Sequence, residues 1–458
     1  MTIDFPFLLS FVGTLLAILL LAWGGKAKAR TSGDFSLGGR AAGDWNVFGA
    51  ITGTLVGGAS TIGTAQLAFI YGLSAWWFTL GAGLACLFLG CFLAIPLRTS
   101  NVETIPQFIA LYHGKRAQIA ASLFTAVGMF IQIVAQLLAC GAILAVLFDL
   151  RLIWSASLSA FLVILFTLGG GMKAAGLTGL IKMFLIYLTM IVTGLLSLRL
   201  AGGWSALQAS FPEFPWFSMF GYGVKEGLSD LLSMVVGVVS TQTYLQAVFS
   251  ARDGATARRG ALLSACLIPP LGLLGVLVGL YMRQTRPQME SALALPLFIQ
   301  EQLPTALAGI AFAALLIAAV GTASGLALGV ATTLKTDVLS RWLAGRRHEL
   351  PLFRALTAVV VTFAFVLLLF NLGSAIMDWS FLSMGLRGAT LCFPLLFAVF
   401  LRQYDLRRAG ALSIFVAPAC VIAAGLFKVD IIPPLYLGLG VSLLIFSCAV
   451  FAARRQSS

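Results

Sequence analysis

Apolar residues in this chain do not alternate with polar ones. They gather into long runs, parted by short stretches rich in glycine, proline and basic residues. A helix rises about 1.5 Å per residue, so some 20 apolar residues cross the ~30 Å hydrocarbon core of a bilayer. Each run therefore predicts a membrane-spanning helix. The pattern gives thirteen, at residues 5–23, 43–71, 73–97, 117–148, 152–170, 177–200, 226–250, 261–282, 303–336, 354–372, 376–401, 409–427 and 433–453. The chain is expected to be an all-α integral membrane protein with no sizeable soluble domain.

Composition agrees. Of 458 residues, 60% are apolar and 10% charged, where a water-soluble domain carries about 25% charged residues. The formal charge of +13, from 29 Lys and Arg against 16 Asp and Glu, is scattered between the apolar runs. That distribution reads as a topology signal and not as a nucleic-acid footprint. The first residues lack a basic segment ahead of the apolar run, while Lys26, Lys28 and Arg30 follow it. A retained first span with its N-terminus outside is expected. Alternating from there, the inner segments hold 21 Lys and Arg and the outer ones six, among them Lys225, Arg283 and Arg286. Translocated loops resist positive charge, so a multi-pass protein of the inner (cell) membrane with a cytoplasmic C-terminus is expected. Two basic residues, Lys182 and Arg387, lie inside spans and are not explained by topology.

The polar chemistry argues against an enzyme. The seven cysteines lie singly in apolar runs, and His113 and His348 sit in loops. No metal-ligand spacing, nucleophile constellation or phosphate loop is present in the sequence. No cofactor is expected. The expected partners are a small-molecule solute and the bilayer, without nucleic acid. A channel, a secondary transporter and a membrane-embedded sensor remain.

The spans differ in kind. Span 43–71 interleaves Gly53, Gly57, Gly58 and Gly63 with Thr52, Thr54, Ser60, Thr61 and Thr64. Small residues permit close helix packing; equally, they suit an unwound helix whose freed carbonyls line a polar cavity. A second polar run occupies residues 318–333, and a third is Ser240-Thr-Gln-Thr-Tyr-Leu-Gln246.

These pieces resemble the sodium:solute symporter family, whose fold is the five-plus-five inverted repeat typified by the LeuT transporter. The resemblance is carried by Phe35-Ser-Leu-Gly-Gly-Arg40, by Tyr71-Gly-Leu73 with Trp76-Trp77, by Thr104-Ile-Pro-Gln-Phe108, by Gly170-Gly-Met-Lys-Ala174, and by Gln242 and Gln246 followed by Ala251-Arg252 and Arg258-Arg-Gly260. It implies a first extra helix within 1–30, a first repeat within 31–200, a second within 201–402, and two C-terminal helices with a short tail within 403–458. Substrate is then expected between the broken span 43–71 and span 226–250, at Ser60, Thr61 and Thr64, with Gln132 and Gln136 from the third core helix and Ser240 or Gln242 from the sixth.

Family members hold sodium between the first and eighth core helices, on backbone carbonyls and two adjacent hydroxyls. The resemblance places the carbonyls at Gly53, Val56 and Ala319 and the hydroxyls at positions 322 and 323. Thr322 is present, but position 323 is Ala323, with Ser324 one residue off. A hard cation needs most of its oxygen ligands. The fifth core helix also departs, reading Thr178-Gly179-Leu-Ile-Lys182 where the family commonly has Thr-Asp-x-x-Gln, and the broken helix carries Leu55 where a polar residue is frequent.

Lys182 has two readings. Near the inner end of its span, it can snorkel to the cytoplasm; or its ammonium abuts the sodium site, bonding Gly53, Val56 and Thr322. Two unit charges about 5 Å apart repel by roughly 3 kcal/mol at an effective dielectric of 20, so lysine and sodium would exclude one another. Transport would then be sodium-independent, and the lysine's proton could couple flux to a proton gradient. Arg387 can pair with Asp378, bond freed carbonyls or meet an anionic solute; pairing is the first expectation. The reading is a secondary transporter of a small polar organic solute by alternating access. Sodium and proton both stand as coupling ion, and the alternatives are an ordinary sodium symporter with a weakened site or a transporter-like sensor.

Overall fold

The structure, a computed structural model, describes residues 4–24, 40–170, 175–334, 349–427 and 432–457. The Phe35–Arg40 element up to residue 39, residues 171–174 of the Gly170–Ala174 element, His348, and the basic residues Lys26, Lys28 and Arg30 lie outside the described residues. Each expected span meets a helix or a helix pair. In chain order these are α1 (Phe5–Gly24), α2 (Asp44–Leu55), α3 (Thr64–Tyr71), α4 (Trp77–Phe88), α5 (Ala94–Thr99), α6 (Ile105–His113), α7 (Lys115–Phe148), α8 (Leu152–Gly170), α9 (Ala175–Leu200), α10 (Val224–Val239), α11 (Gln242–Ser250), α12 (Gly254–Thr285), α13 (Ala294–Gln302), α14 (Thr305–Thr333), α15 (Glu349–Leu369), α16 (Ile376–Phe400), α17 (Arg407–Leu426) and α18 (Pro434–Ser457). Among the described residues there is no strand beyond an isolated bridge between Ala42 and Ala251.

Eight of the described helical stretches are long and apolar enough to cross a bilayer, and α10 with α11, bent by 42°, makes a ninth. The stretch Ala59–Thr99 is 41 residues long, about twice what a bilayer needs. It turns back at Gly72, whose φ of +67° is open to glycine at little cost; a Cβ there would also run into the Trp216 backbone. Shorter apolar helices lie at Phe5–Ile18, Leu152–Thr167 and Arg354–Leu369.

Two helices are interrupted at mid-span. α2 ends where Val56 turns extended (φ −85°, ψ 97°), and the chain resumes as a π-turn, Ala59–Gly63, leading into α3. The Gly57-Gly58 pair occupies the gap because α7 and α14 press on it: a Cβ at Gly57 would stand 3.1 Å from the Thr322 hydroxyl, and one at Gly58 would meet Ala139. α10 breaks at Ser240-Thr241, and α11 resumes at Gln242. The most buried span, α7, packs on α14 and α16 and brings Gln136 and Ala139 to the α2–α3 interruption.

The motif residues tie loops together at the end of the bundle that carries Thr99 and Ala251. Arg40 donates to the Asn101 side chain at 2.7 Å and to its carbonyl at 2.6 Å. Arg98 donates to the carbonyls of Ala251 at 2.5 Å and Arg252 at 3.2 Å. Thr104 caps α6 by accepting from the Gln107 amide at 3.2 Å, as an N-cap threonine should.

Candidate functional site

Lys182 lies on α9, where that helix meets α2. Gly179 and Gly53 let the two backbones touch: a Cβ on Gly53 would stand 3.1 Å from the Gly179 Cα. An acidic side chain is missing at position 179 where the helices close on one another. One turn on, Lys182 is 7% exposed. Its Nζ donates to the Gly53 carbonyl at 2.9 Å and to the Thr322 hydroxyl at 3.0 Å. The ammonium thus bridges α2 and α14 and does not snorkel outward.

The same neighbourhood lacks a second hydroxyl. Ala323 is fully buried, and the Ser324 hydroxyl accepts from Thr167 on α8 at 2.8 Å, turned to another helix. Of the oxygens around Gly53, Val56, Ala319 and Thr322, those of Gly53 and Thr322 already face a cation. A sodium ion among them would stand beside the Lys182 ammonium, and like charges repel. Gly321 and Gly325 share the face of α14 beside Thr322, and a Cβ at either would meet open space.

The hydroxyls of the broken span serve the break itself. Ser60 accepts from the Gly57 amide and donates to its carbonyl, both at 3.0 Å; Thr61 donates to the Gly57 carbonyl at 2.9 Å and Thr64 to that of Ser60 at 3.1 Å. Thr64 packs toward Gly275 of α12. The Gln136 side-chain oxygen accepts from the Gly58 amide at 3.0 Å, satisfying a donor that the unwound turn leaves open. Gln242 stands apart from this group. It accepts from the Ile105 amide at 2.7 Å and donates to the Glu103 carbonyl at 3.3 Å, clamping α11 to the start of α6.

A second set of polar groups lies along α16, where α7 and α10 pack against it. Gln132 donates to the Ser380 hydroxyl at 3.0 Å, leaving its side-chain oxygen without a partner. The Ser240 hydroxyl, at the break, is buried and also unpartnered. Arg387 is 1% exposed. Its Nε donates to the Ser383 carbonyl at 3.1 Å, and one terminal nitrogen to the Ser383 hydroxyl at 2.7 Å and the Met384 sulfur at 3.4 Å; the other terminal nitrogen has no partner. The expected pairing with Asp378 is absent. Nine helical residues separate the two by roughly 13 Å along α16, and Asp378 sits exposed in the first turn.

The end of the bundle bearing Tyr71 is closed over these groups. The Gln66 side chain accepts from the Ile376 amide at 2.9 Å, Gly63 packs against Ile376 and Met377, and Phe78 meets Phe381 edge to face, centroids 5.5 Å apart. The sequence reading missed Gln66, Ser380 and Ser383. An amide inside an apolar run is the signal for the first, and serine four residues before an intramembrane arginine is the signal for the last.

The profile of the sodium:solute symporter family matches residues 35–417. The chain belongs to the sodium:solute symporter family. Over its whole length it is similar to a Na+-coupled sialic acid symporter of solved structure, with a TM-score of 0.75 and 18% identity over 99% of this chain and 98% of that one. A second solved structure, Mhp1 of the nucleobase-cation-symport-1 family, gives 0.61 and 12% over 92% and 94%. Both likenesses are of fold, and that fold is LeuT-like. In sequence, the chain is 23% identical to the uncharacterized symporter YwcA of Bacillus subtilis over 80% of its own length and 75% of that protein's. It is 26% identical to the human high affinity choline transporter 1 over 50% of its length; the match spans only 40% of that transporter.

Proposed function

We propose that this member of the family is a secondary transporter of a small polar organic solute in which the Lys182 ammonium takes the place of the coupling sodium ion. The observation that carries the reading is the pair of hydrogen bonds from Lys182 to the Gly53 carbonyl on α2 and the Thr322 hydroxyl on α14. A sodium ion in this fold would join the same two helices. A charged hydrogen bond contributes about 1.5–3 kcal/mol, so the protonated lysine holds α2 against α14. Loss of its proton removes the charge and weakens both bonds. Protonation thereby takes over the ion's role of locking and releasing α2, and flux couples to protons.

The repeats within 31–200 and 201–402 supply the two broken helices, α2–α3 and α10–α11. The solute lies between the breaks, near Gln132, Ser240 and Arg387, while Ser60, Thr61 and Gln136 shape the unwound turn and Gln242 braces α11. In the cell membrane the N-terminus is outside, the closed end bearing Tyr71 faces out, and the open face of α14 at Gly321 and Gly325 belongs to the inward path.

Binding of radioactive sodium to the purified protein tests the reading without knowing the solute. Wild type is expected to show no saturable binding at millimolar sodium. Lys182→Ala with Ala323→Ser, which removes the charge and supplies the missing hydroxyl, is expected to gain it. Saturable sodium binding by wild type would overturn the proposal.

A further inference from the structure

Among the described residues Arg387 is the largest side chain buried to this degree, and no acid pairs with it. Among the described residues the ion pairs join Arg252 to Asp253, Arg259 to Asp44, Arg286 to Glu301 and Arg407 to Asp405, none of them in this region. Asp230, on the neighbouring α10, is bound by the Tyr222 hydroxyl at 2.8 Å. A buried charge without a counter-ion is costly, and polar groups inside a membrane protein find partners. Here the partners are a serine, a methionine sulfur and a carbonyl, and one terminal nitrogen is left with none.

Two further buried groups without partners lie on the elements that pack against α16. α7 presents the Gln132 oxygen one turn from Gly128, whose missing side chain makes room for the Arg387 stem; Ser383 donates to the Gly128 carbonyl at 2.5 Å. The α10–α11 break presents the Ser240 hydroxyl one turn from Gly237, which packs on Met384. One turn beyond the break, the Tyr244 phenol lies close enough to interact with the guanidinium. Two unused donors, from Arg387 and Ser240, and one unused acceptor, from Gln132, thus lie along α16, the acceptor at the level of Ser380 and the Ser240 hydroxyl one turn past the Gly237–Met384 contact.

We propose that Arg387 and Ser240 bind the carboxylate of the transported solute, and that Gln132 accepts from a hydroxyl or ammonium group beside it: the substrate is a small organic carboxylate. Arginine suits this role because its planar fork matches a carboxylate and it stays charged when buried. This rests on the reading of the core as a solute site, but the test needs no flux.

Thermal unfolding of the detergent-solubilised protein is measured with acetate, glycolate, lactate, glycine and alanine, and with glucose, urea and choline, ionic compounds being supplied as potassium or chloride salts. A saturable upward shift is expected with hydroxy- or amino-carboxylates, exceeding that of equimolar potassium chloride. Arg387→Gln should raise the half-saturating concentration at least a hundredfold, and Ser240→Ala three- to tenfold. Ser240→Ala deletes only an unpartnered hydroxyl and keeps the test informative should the arginine variant fold poorly. A purely structural arginine would lower the unfolding temperature on substitution and leave ligand shifts in the serine variant unchanged. The proposal is overturned if no carboxylate exceeds potassium chloride, or if choline, urea or glucose alone stabilises the protein and does so equally in Ser240→Ala. Loss of flux in vesicles with carboxylate binding intact would instead count against the transport reading.

Discussion

At the scale of single residues, the environment decides what each charge can do. Lys182 and Arg387 are both cations inside the bundle, yet one has its donors directed at the oxygens of two helices while the other keeps a terminal nitrogen unspent. His113 gives a third case, outside the spans. Its Nε2 lies 3.0 Å from the Pro394 carbonyl and its ring packs on Gly410 and Phe446. Burial holds its pKa below the ordinary value, while the carbonyls of Pro394 and Leu406 oppose that in part. A folded-state pKa below the unfolded one means the unfolded chain binds the proton first. The stability contributed by neutral His113 is therefore complete above the unfolded value of about 6.5 and is lost as pH falls below it, by about 1.4 kcal/mol for each unit of depression. Unfolding followed from pH 7.5 to 5 should show a fall in wild type that His113→Asn flattens; equal slopes in both would refute the assignment. The sequence left Lys182 with two readings, snorkelling to the cytoplasm or bonding Gly53, Val56 and Thr322, because register alone does not set where a long side chain turns; its bonds go to Gly53 and Thr322. The vacancy on Arg387 was not legible in the sequence, since a missing partner is a property of three helices at once and the nearest acid in sequence, Asp378, points elsewhere.

At the scale of elements, the breaks and the closure over them carry the argument. Apolar runs and glycine-threonine interleaving made the spans and the α2–α3 interruption readable, because a bilayer enforces length and backbone satisfaction locally. The destinations of side chains such as Gln242 were not readable: its amide serves α6, more than a hundred residues earlier in the chain. The closure depends on a smaller set of contacts. The Gln66 oxygen satisfies the Ile376 amide at the first turn of α16, where helix N–H groups lack partners of their own. Such a bond contributes about 0.5–1.5 kcal/mol, which corresponds to a two- to tenfold change in the open population. In a chain relieved of its exposed cysteines, Ser380→Cys should react with an impermeant maleimide added from the Tyr71 side, and Gln66→Ala should raise that rate two- to tenfold. An unchanged rate would mean that Gly63 and Phe78 close this end without the amide.

For the whole molecule, charge is the constraint. The chain carries +13, but most of its basic residues lie outside or at the ends of the apolar runs; among the described residues the buried Lys and Arg are Lys182 and Arg387, and the acids lie away from them. If the solute is a carboxylate, moving it alone into a cell that is negative inside costs about 2.3 kcal/mol per 100 mV. A proton carried on Lys182 in the same cycle cancels that charge. Transport then becomes electroneutral, driven by the pH gradient and indifferent to both the membrane potential and sodium. Proteoliposomes loaded at neutral pH, supplied with the carboxylate that gives the largest thermal shift, should concentrate it when the outside is made acid. A valinomycin-set potassium potential, or a sodium gradient, should change the initial rate by less than twofold. Lys182→Ala should abolish accumulation on the pH gradient while leaving exchange of labelled for unlabelled solute, because exchange needs the binding site but no net proton movement. Acceleration by sodium alone, or accumulation by Lys182→Ala equal to wild type, would separate the lysine from the coupling step and return the ion's role to the remaining oxygens of α2 and α14.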